Sequence, residues 1–333
     1  MDRPLLQIES LRVGLRTAAG PRCAVEDVSF ALHQGETLAI VGERGSGKRL
    51  LYLAMLRLPC VPPAEVLQGR ALFKGQDLLA IKPHELARVR GGEIACLFRD
   101  PMTSLNPTMP IERQIAETME KHLHIARGES RRRTIALLER VGIPNPSQCA
   151  QQYPHQFSAG ARQRILLALA VSCRPKLLIA DEPTAHLDAT IGAQIIALIQ
   201  AFQQEMGMAV LWVTRDLALT TRVARRMLLL YAGQIVESGT MASILGEPAH
   251  PYTIGLLSSL PRLDELSPHK LRSIEGDLPP LTKPPSGCPF WPRCPHHTAI
   301  CTQERPGLLY LGEGRRAACW HVDTIRQRVQ AWG

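Results

Sequence analysis

No stretch of the sequence holds the roughly eighteen consecutive apolar residues that carry a helix across a bilayer. Its first ten residues, MDRPLLQIES, lack the basic segment followed by an apolar segment that marks a secretory leader. Together these absences predict a chain that stays in the cytosol and meets any membrane through a partner. Aromatic residues are scarce, at 5%, which leaves little material for stacking nucleic-acid bases. Basic clusters are scarce too. The net charge of +9 is scattered except at Arg131-Arg132-Arg133 and Arg225-Arg226, so it reads as solvated surface and argues against a nucleic-acid partner. With 45% hydrophobic residues in 333, the chain has enough apolar material for one large core or two modest ones, and disorder is excluded.

Strand patterns open the chain. QIESLRV and AVEDVSFAL alternate apolar and polar residues, and the buried-strand run Leu38-Ala39-Ile40-Val41 leads straight into a glycine loop. From about residue 110 to 170 the spacing turns helical, in IERQIAETMEKHL, RRRTIALLERVG and ARQRILLALAV. Strand LLIAD, a helix over 189–204, strand AVLWVT, a further helix and strand RMLLLY follow. Strands alternating with helices predict a parallel, helix-covered α/β sheet whose ligands sit at the carboxyl ends of the strands. Beyond about residue 245 the prolines multiply, seven of them between Pro279 and Pro295. That composition predicts an irregular tail held by something other than a sheet.

The glycine loop is Gly42-Glu43-Arg44-Gly45-Ser46-Gly47-Lys48-Arg49. Its glycines allow backbone N–H groups to point at phosphate oxygens, the following helix offers its positive end, and Lys48 reaches the outer phosphates. The pattern ordinarily closes on Ser or Thr, whose hydroxyl ligates Mg²⁺. Arg49 has no such oxygen, so Mg²⁺ is doubtful here while phosphate binding is expected. About 130 residues later Leu177-Leu178-Ile179-Ala180-Asp181-Glu182 ends an apolar strand on two carboxylates. Asp181 is placed to hold a metal through water, and Glu182 to activate a water as general base.

With those two segments in place, other stretches resemble ATP-binding subunits of ABC transporters. Gln156-Phe157-Ser158-Ala159-Gly160-Ala161-Arg162-Gln163-Arg164 is similar to the signature motif, and Pro183-Thr184-Ala185-His186-Leu187-Asp188 to the D-loop. Asp100-Pro101-Met102-Thr103-Ser104-Leu105-Asn106-Pro107, His250-Pro251-Tyr252-Thr253 and Gly287-Cys288-Pro289-Phe290 narrow the resemblance. They look like the dipeptide, oligopeptide, nickel and antimicrobial-peptide uptake systems. The resemblance implies a P-loop ATPase core, a RecA-like parallel sheet with an antiparallel β subdomain, divided as 1–98 and 166–245. It further implies a helical subdomain over 99–165 and a C-terminal extension over 246–333.

In that family two ATP-binding subunits, often different chains, sandwich two ATPs head to tail beneath two transmembrane permease subunits, fed by an extracytoplasmic solute-binding protein. The resemblance therefore implies a peripheral protein on the cytoplasmic face of a bacterial inner membrane. Ser158, Gly160 and Asp188 would face the partner's ATP, with Ala159 replacing a glycine. For the chain's own ATP the departures are heavier. Leu15 stands where the adenine-stacking aromatic is found, Arg99 where the Q-loop glutamine is found and Arg215 where the switch histidine is found. Arginine cannot give up a proton near neutral pH as histidine can. Either the own site is degenerate, with turnover at the site built on the partner's P-loop, or Arg49, Arg99 and Arg215 clamp ATP without Mg²⁺. A structural or regulatory subunit that never hydrolyses is the alternative, and a soluble ABC protein acting on nucleic acid the remoter one.

Nine cysteines in a cytosolic chain do not read as a disulfide framework. Cys288, Cys294, Cys301 and Cys319 crowd the last fifth, with five, six and seventeen residues between them. Four thiolates could hold Zn²⁺ or an iron–sulfur cluster, with His296, His297 and His321 as alternative ligands, and the spacing selects neither. The family resemblance favours a 4Fe–4S cluster over Zn²⁺.

Overall fold

The computed structural model describes residues 3–18, 20–260 and 273–330. The chain folds as two compact units: Met1–Leu5, Leu32–Glu36 and Ala80–Trp212 form one, and Leu6–Ala31, Thr37–Leu79 and Val213–Gly333 the other. The glycine loop and the C-terminal extension thus belong to one unit. The Asp181-Glu182 strand, the Arg99 segment and the signature belong to the other.

In the unit that carries the glycine loop, one sheet is antiparallel. Strand Leu6–Thr17 lies between Gly20–Leu32 and Ala64–Phe73, with the register Leu6↔Phe73 to Leu15↔Ala64. In the same unit the strand Thr37–Val41 runs parallel to Arg226–Tyr231, pairing Leu38 with Arg226 and Val41 with Leu229. After their first residues, Thr37 and Arg226, both strands are apolar and buried throughout, as burial on two faces requires. Arg226–Tyr231 turns back into Gln234–Thr240 as an antiparallel neighbour.

The tail departs from its expectation. Arg315–Ala317 pairs antiparallel with Gln234–Thr240, through Glu237↔Ala317, and Leu309–Gly312 pairs with Arg315–Ala317. Part of the extension is therefore sheet. The prolines that argued against it stop short of this hairpin, so its backbone donors remain intact. The extension also shares the core of the glycine-loop sheet: Val41, Leu229 and Tyr231 pack in one cluster with Tyr252, Cys288, Phe290 and Cys301. Tyr231, Tyr252 and Phe290 meet edge to face at centroid distances of 4.8, 5.1 and 5.6 Å, each pair adding about 0.5–1.5 kcal/mol beyond its burial.

The buried carboxylate of Glu237 pins this arrangement. It accepts from the Ala249 and His250 N–H groups at 2.9 and 3.0 Å and from Thr253 Oγ1 at 2.6 Å, and it pairs with Arg315 at 3.3 Å. A charge fully out of water is tolerated only with such a set of donors.

The other unit holds the parallel pair Ile94–Leu97 and Leu177–Asp181 and the helices Ile111–Leu123, Arg127–Arg140, Ala159–Val171 and Ala189–Met206. Ala159–Val171 is apolar nearly all round from Ile165 to Val171, which makes it the interior helix.

Candidate functional site

The glycine loop connects Thr37–Val41 to the helix Lys48–Met55. Gly42 is required by space: a Cβ there would lie 2.2 Å from the Leu230 carbonyl oxygen. Gly45 and Gly47 have φ of 87° and 101°, the left-handed region that glycine adopts freely. Ser46 is fully buried, and its carbonyl accepts the Gly233 N–H at 2.8 Å. The Lys48 ammonium is folded into its own loop, donating to the Gly42 and Glu43 carbonyls at 2.5 and 2.9 Å and to Ser46 Oγ at 3.3 Å. A phosphate competing for that ammonium would exchange neutral acceptors for a charged one, the stronger bond.

Arg49 is exposed on the first helical turn, which contains no acidic residue. It supplies no oxygen where the Mg²⁺ hydroxyl is needed, so the residues present do not fit the metal at this position. Arg215 is exposed and lines, with Glu43, Arg44, Gly276, Asp277 and Leu278, an opening beside the loop. Leu15 is 9% exposed within strand Leu6–Thr17, so it presents little face to a ligand.

Glu43 is fixed at three points. Arg293 grips its carboxylate with two bonds, Nη1 to Oε1 at 2.9 Å and Nη2 to Oε2 at 3.1 Å. Its N–H donates to Tyr252 Oη at 3.0 Å, and its carbonyl accepts from Lys48. Neither Glu43 nor Arg293 stood out in the sequence. The one available signal was an arginine directly before Cys294, and no periodicity marks such a contact.

In the other unit Asp181 ends its strand buried, and its charge adds to burial in pushing the neighbouring Cys96 thiol up to about 12. Glu182 follows with φ of 44°, a left-handed conformation that costs a non-glycine residue roughly 1–2 kcal/mol. The Arg99 guanidinium lies against it, Nε at 3.3 Å from Oε2, and Arg99 Nη2 is 3.2 Å from His186 Nε2. The structure thus brings the general-base candidate together with the arginine in the Q-loop position, and adds a D-loop histidine that sequence reasoning had not singled out.

Ser158 caps the helix Ala159–Val171 by accepting the Ala161 N–H, and Asp188 caps Ala189–Met206 by accepting the Ile191 N–H. Gly160 faces that second helix: a Cβ on it would lie 2.9 Å from Ile191 Cγ2. The signature and the D-loop are therefore packed together with no room to spare.

Cys288, Cys294, Cys301 and Cys319 line one small cavity together with His250, His296 and His321. None is in a disulfide. Burial pushes the Cys319 thiol up to about 12 and Cys294 up to about 11, and the neighbouring tail cysteines push in the same direction. Among the described residues no group of three or more His, Cys, Asp or Glu is arranged to hold a metal ion. His297 instead turns to the Cys294 carbonyl, with Nδ1 at 2.8 Å.

Comparison with known proteins agrees with this geometry. Residues 25–185 match the ABC transporter family, and residues 236–301 match the oligopeptide/dipeptide transporter C-terminal region. The oligopeptide transport ATP-binding protein OppD of Bacillus subtilis is 43% identical over 98% of this chain and 91% of its own length. The dipeptide transport ATP-binding protein DppD of the same organism is 43% identical over 96% and 95%. OppD of Escherichia coli is 41% identical over 95% and 93%. Among solved structures, the ATP-binding cassette MJ0796, a dimer in a post-hydrolysis state bound to ADP and phosphate, superposes with a TM-score of 0.63. It is 22% identical and covers 71% of this chain and 98% of its own, a likeness of fold.

Proposed function

The chain belongs to the ABC transporter family and carries the C-terminal region of its oligopeptide and dipeptide transporters, and from that premise we propose that it is the nucleotide-binding subunit of a peptide importer. ATP is bound at the Gly42–Lys48 loop. The partners are a second, more intact ATP-binding subunit, two permease subunits and, indirectly, a solute-binding protein. Among the described residues no helix is long and apolar enough to cross a membrane, so attachment to the cytoplasmic face of the inner membrane runs through the permeases.

The chain's own ATP site is impaired, and one observation carries that reading: Arg99 Nε sits 3.3 Å from the Glu182 carboxylate. A general base must be free to take the proton of a water held against it, and here the carboxylate is already engaged by a guanidinium. Arg49 compounds the defect by withholding the metal's hydroxyl. The pairing also draws Arg99 away from an arginine clamp, because phosphate would have to displace a carboxylate to recruit it. Ser158, Gly160 and Asp188 keep the residue types that serve the partner's ATP, so turnover falls to the composite site built on the partner's P-loop.

The four tail cysteines line one cavity, a donor set open to either Zn²⁺ or an iron–sulfur cluster, and the resemblance to the transporter family favours 4Fe–4S. Such a cluster would act as a cross-link of a proline-rich segment.

Peptide uptake by vesicles containing the reconstituted transporter tests the proposal. Uptake driven by ATP should require this chain and should fall to background when it is omitted. Full uptake without it would overturn the reading.

A further inference from the structure

Arg293 lies in the cysteine-rich tail, one residue before Cys294, yet its side chain is 4% exposed and is spent on the glycine loop. Besides its two bonds to Glu43, its Nε–H donates to the Glu275 carbonyl at 2.9 Å and Nη2 to the Ile274 carbonyl at 3.3 Å, and Nη1 lies 3.4 Å from Tyr231 Oη. The segment it holds runs on to Leu278, whose Cδ2 would be 3.4 Å from a Cβ on Gly45. One guanidinium therefore joins the cysteine segment, the segment beside the loop opening and the loop's second residue.

The chemistry of that junction concerns phosphate. Glu43 places a negative charge inside a loop whose purpose is to receive a polyanion, and an unpaired carboxylate there would repel it. The bidentate grip of Arg293 neutralises the charge and fixes its direction. Tyr252 holds the Glu43 N–H from the same C-terminal extension, and the aromatic set Tyr231, Tyr252 and Phe290 fixes both contacts to the sheet. Cys288, two residues before Phe290, receives a further tie: its N–H donates to the Cys301 carbonyl at 2.8 Å.

We infer that Arg293 is a positioning residue for nucleotide: through Glu43 it makes the cysteine-rich tail a structural part of the phosphate loop, so that tail and nucleotide stabilise each other. This rests on the reading that the loop binds ATP. The coupling is reciprocal by necessity: whatever ATP binding gains from the ordered tail, the tail gains from ATP.

The test is calorimetric titration of the full-length chain with ATP. Arg293→Gln should weaken affinity about tenfold, the scale of one lost charge-assisted hydrogen bond. Adding Glu43→Gln to that variant removes the stranded carboxylate and should restore affinity to within about threefold of the unaltered chain. A residue that merely kept the tail folded would show no such rescue. Hydrogen exchange on the unaltered chain gives a second measurement free of any folding defect, and saturating ATP should slow exchange in peptides spanning 288–301. Unchanged affinity in Arg293→Gln, a loss that Glu43→Gln leaves in place, or exchange at 288–301 indifferent to ATP would each overturn the inference. Failure of the unaltered chain to bind ATP at all would instead overturn the nucleotide reading beneath it.

Discussion

Arg99 and Glu182 stand 3.3 Å apart, a guanidinium in the Q-loop position set against the carboxylate that a hydrolytic site would use as its base. The pair is partly buried, with side chains 26% and 13% exposed, so solvent screens it less than a surface pair. His186 backs the arginine at 3.2 Å.

On the proposed reading, releasing the base alone is not enough, because Arg49 offers no oxygen to the metal. With the partner's loop silenced, Arg99→Gln by itself should change ATP turnover by less than about twofold. Arg49→Ser, Arg99→Gln and Arg215→His together should raise Mg²⁺-dependent turnover at least about a hundredfold, the scale of restoring one general base. Steady-state phosphate release checks both values. A large gain from Arg99→Gln alone would mean that Arg49 does no harm.

Nucleotide binding should survive these defects, since the loop and Lys48 are intact. Lys48→Ala should weaken ATP about tenfold or more, as expected for removal of a charge-assisted phosphate contact. Titration in EDTA and in excess Mg²⁺ should give affinities within about threefold of each other, because Arg49 replaces the metal's ligand. A strict Mg²⁺ requirement would contradict that account of Arg49.

Most of the fold was legible in the sequence. Strands Leu177–Asp181, Ala209–Thr214 and Arg226–Tyr231 and helix Ile111–Leu123 fall where their apolar spacing placed them, because burial on one or two faces writes a local period. The glycine loop was equally plain, since its backbone path demands glycine at fixed positions. Three features could not be read. The hairpin of 309–317 is masked by the proline-rich segment before it. The Arg99–Glu182 and Arg293–Glu43 contacts join residues 83 and 250 positions apart, and no local pattern encodes such a pairing.

The Glu237 network is expected to hold the extension to the glycine-loop sheet. Glu237→Ala takes from Arg315 its buried partner, leaving only the 3.5 Å contact with the more exposed Glu247, and should cost about 3 kcal/mol. Urea unfolding of the full chain measures it. Glu237→Ala together with Arg315→Met should recover part of the loss, since no stranded charge remains. A cost below about 1 kcal/mol would show that the extension is held elsewhere.

The tail cysteines carry their own test. Anaerobically purified chain should contain iron and acid-labile sulfide in equal amounts, lost together on Cys294→Ser. Loss of the cluster should also lower the melting temperature, as removal of a cross-link does. Zinc without sulfide would establish the single-ion alternative, and absence of both would leave four thiols with a packing role.

The central claim, that this chain binds ATP but leaves turnover to its partner's loop, is met most directly by ATP turnover in the reconstituted transporter. Glu182→Gln in this chain is compared with the equivalent change in the partner subunit. Turnover should persist within about twofold in the first case and fall at least about a hundredfold in the second, the scale of losing a catalytic base. If Glu182→Gln abolishes turnover as well, Arg99 does not silence Glu182 and the chain's own site is a working one.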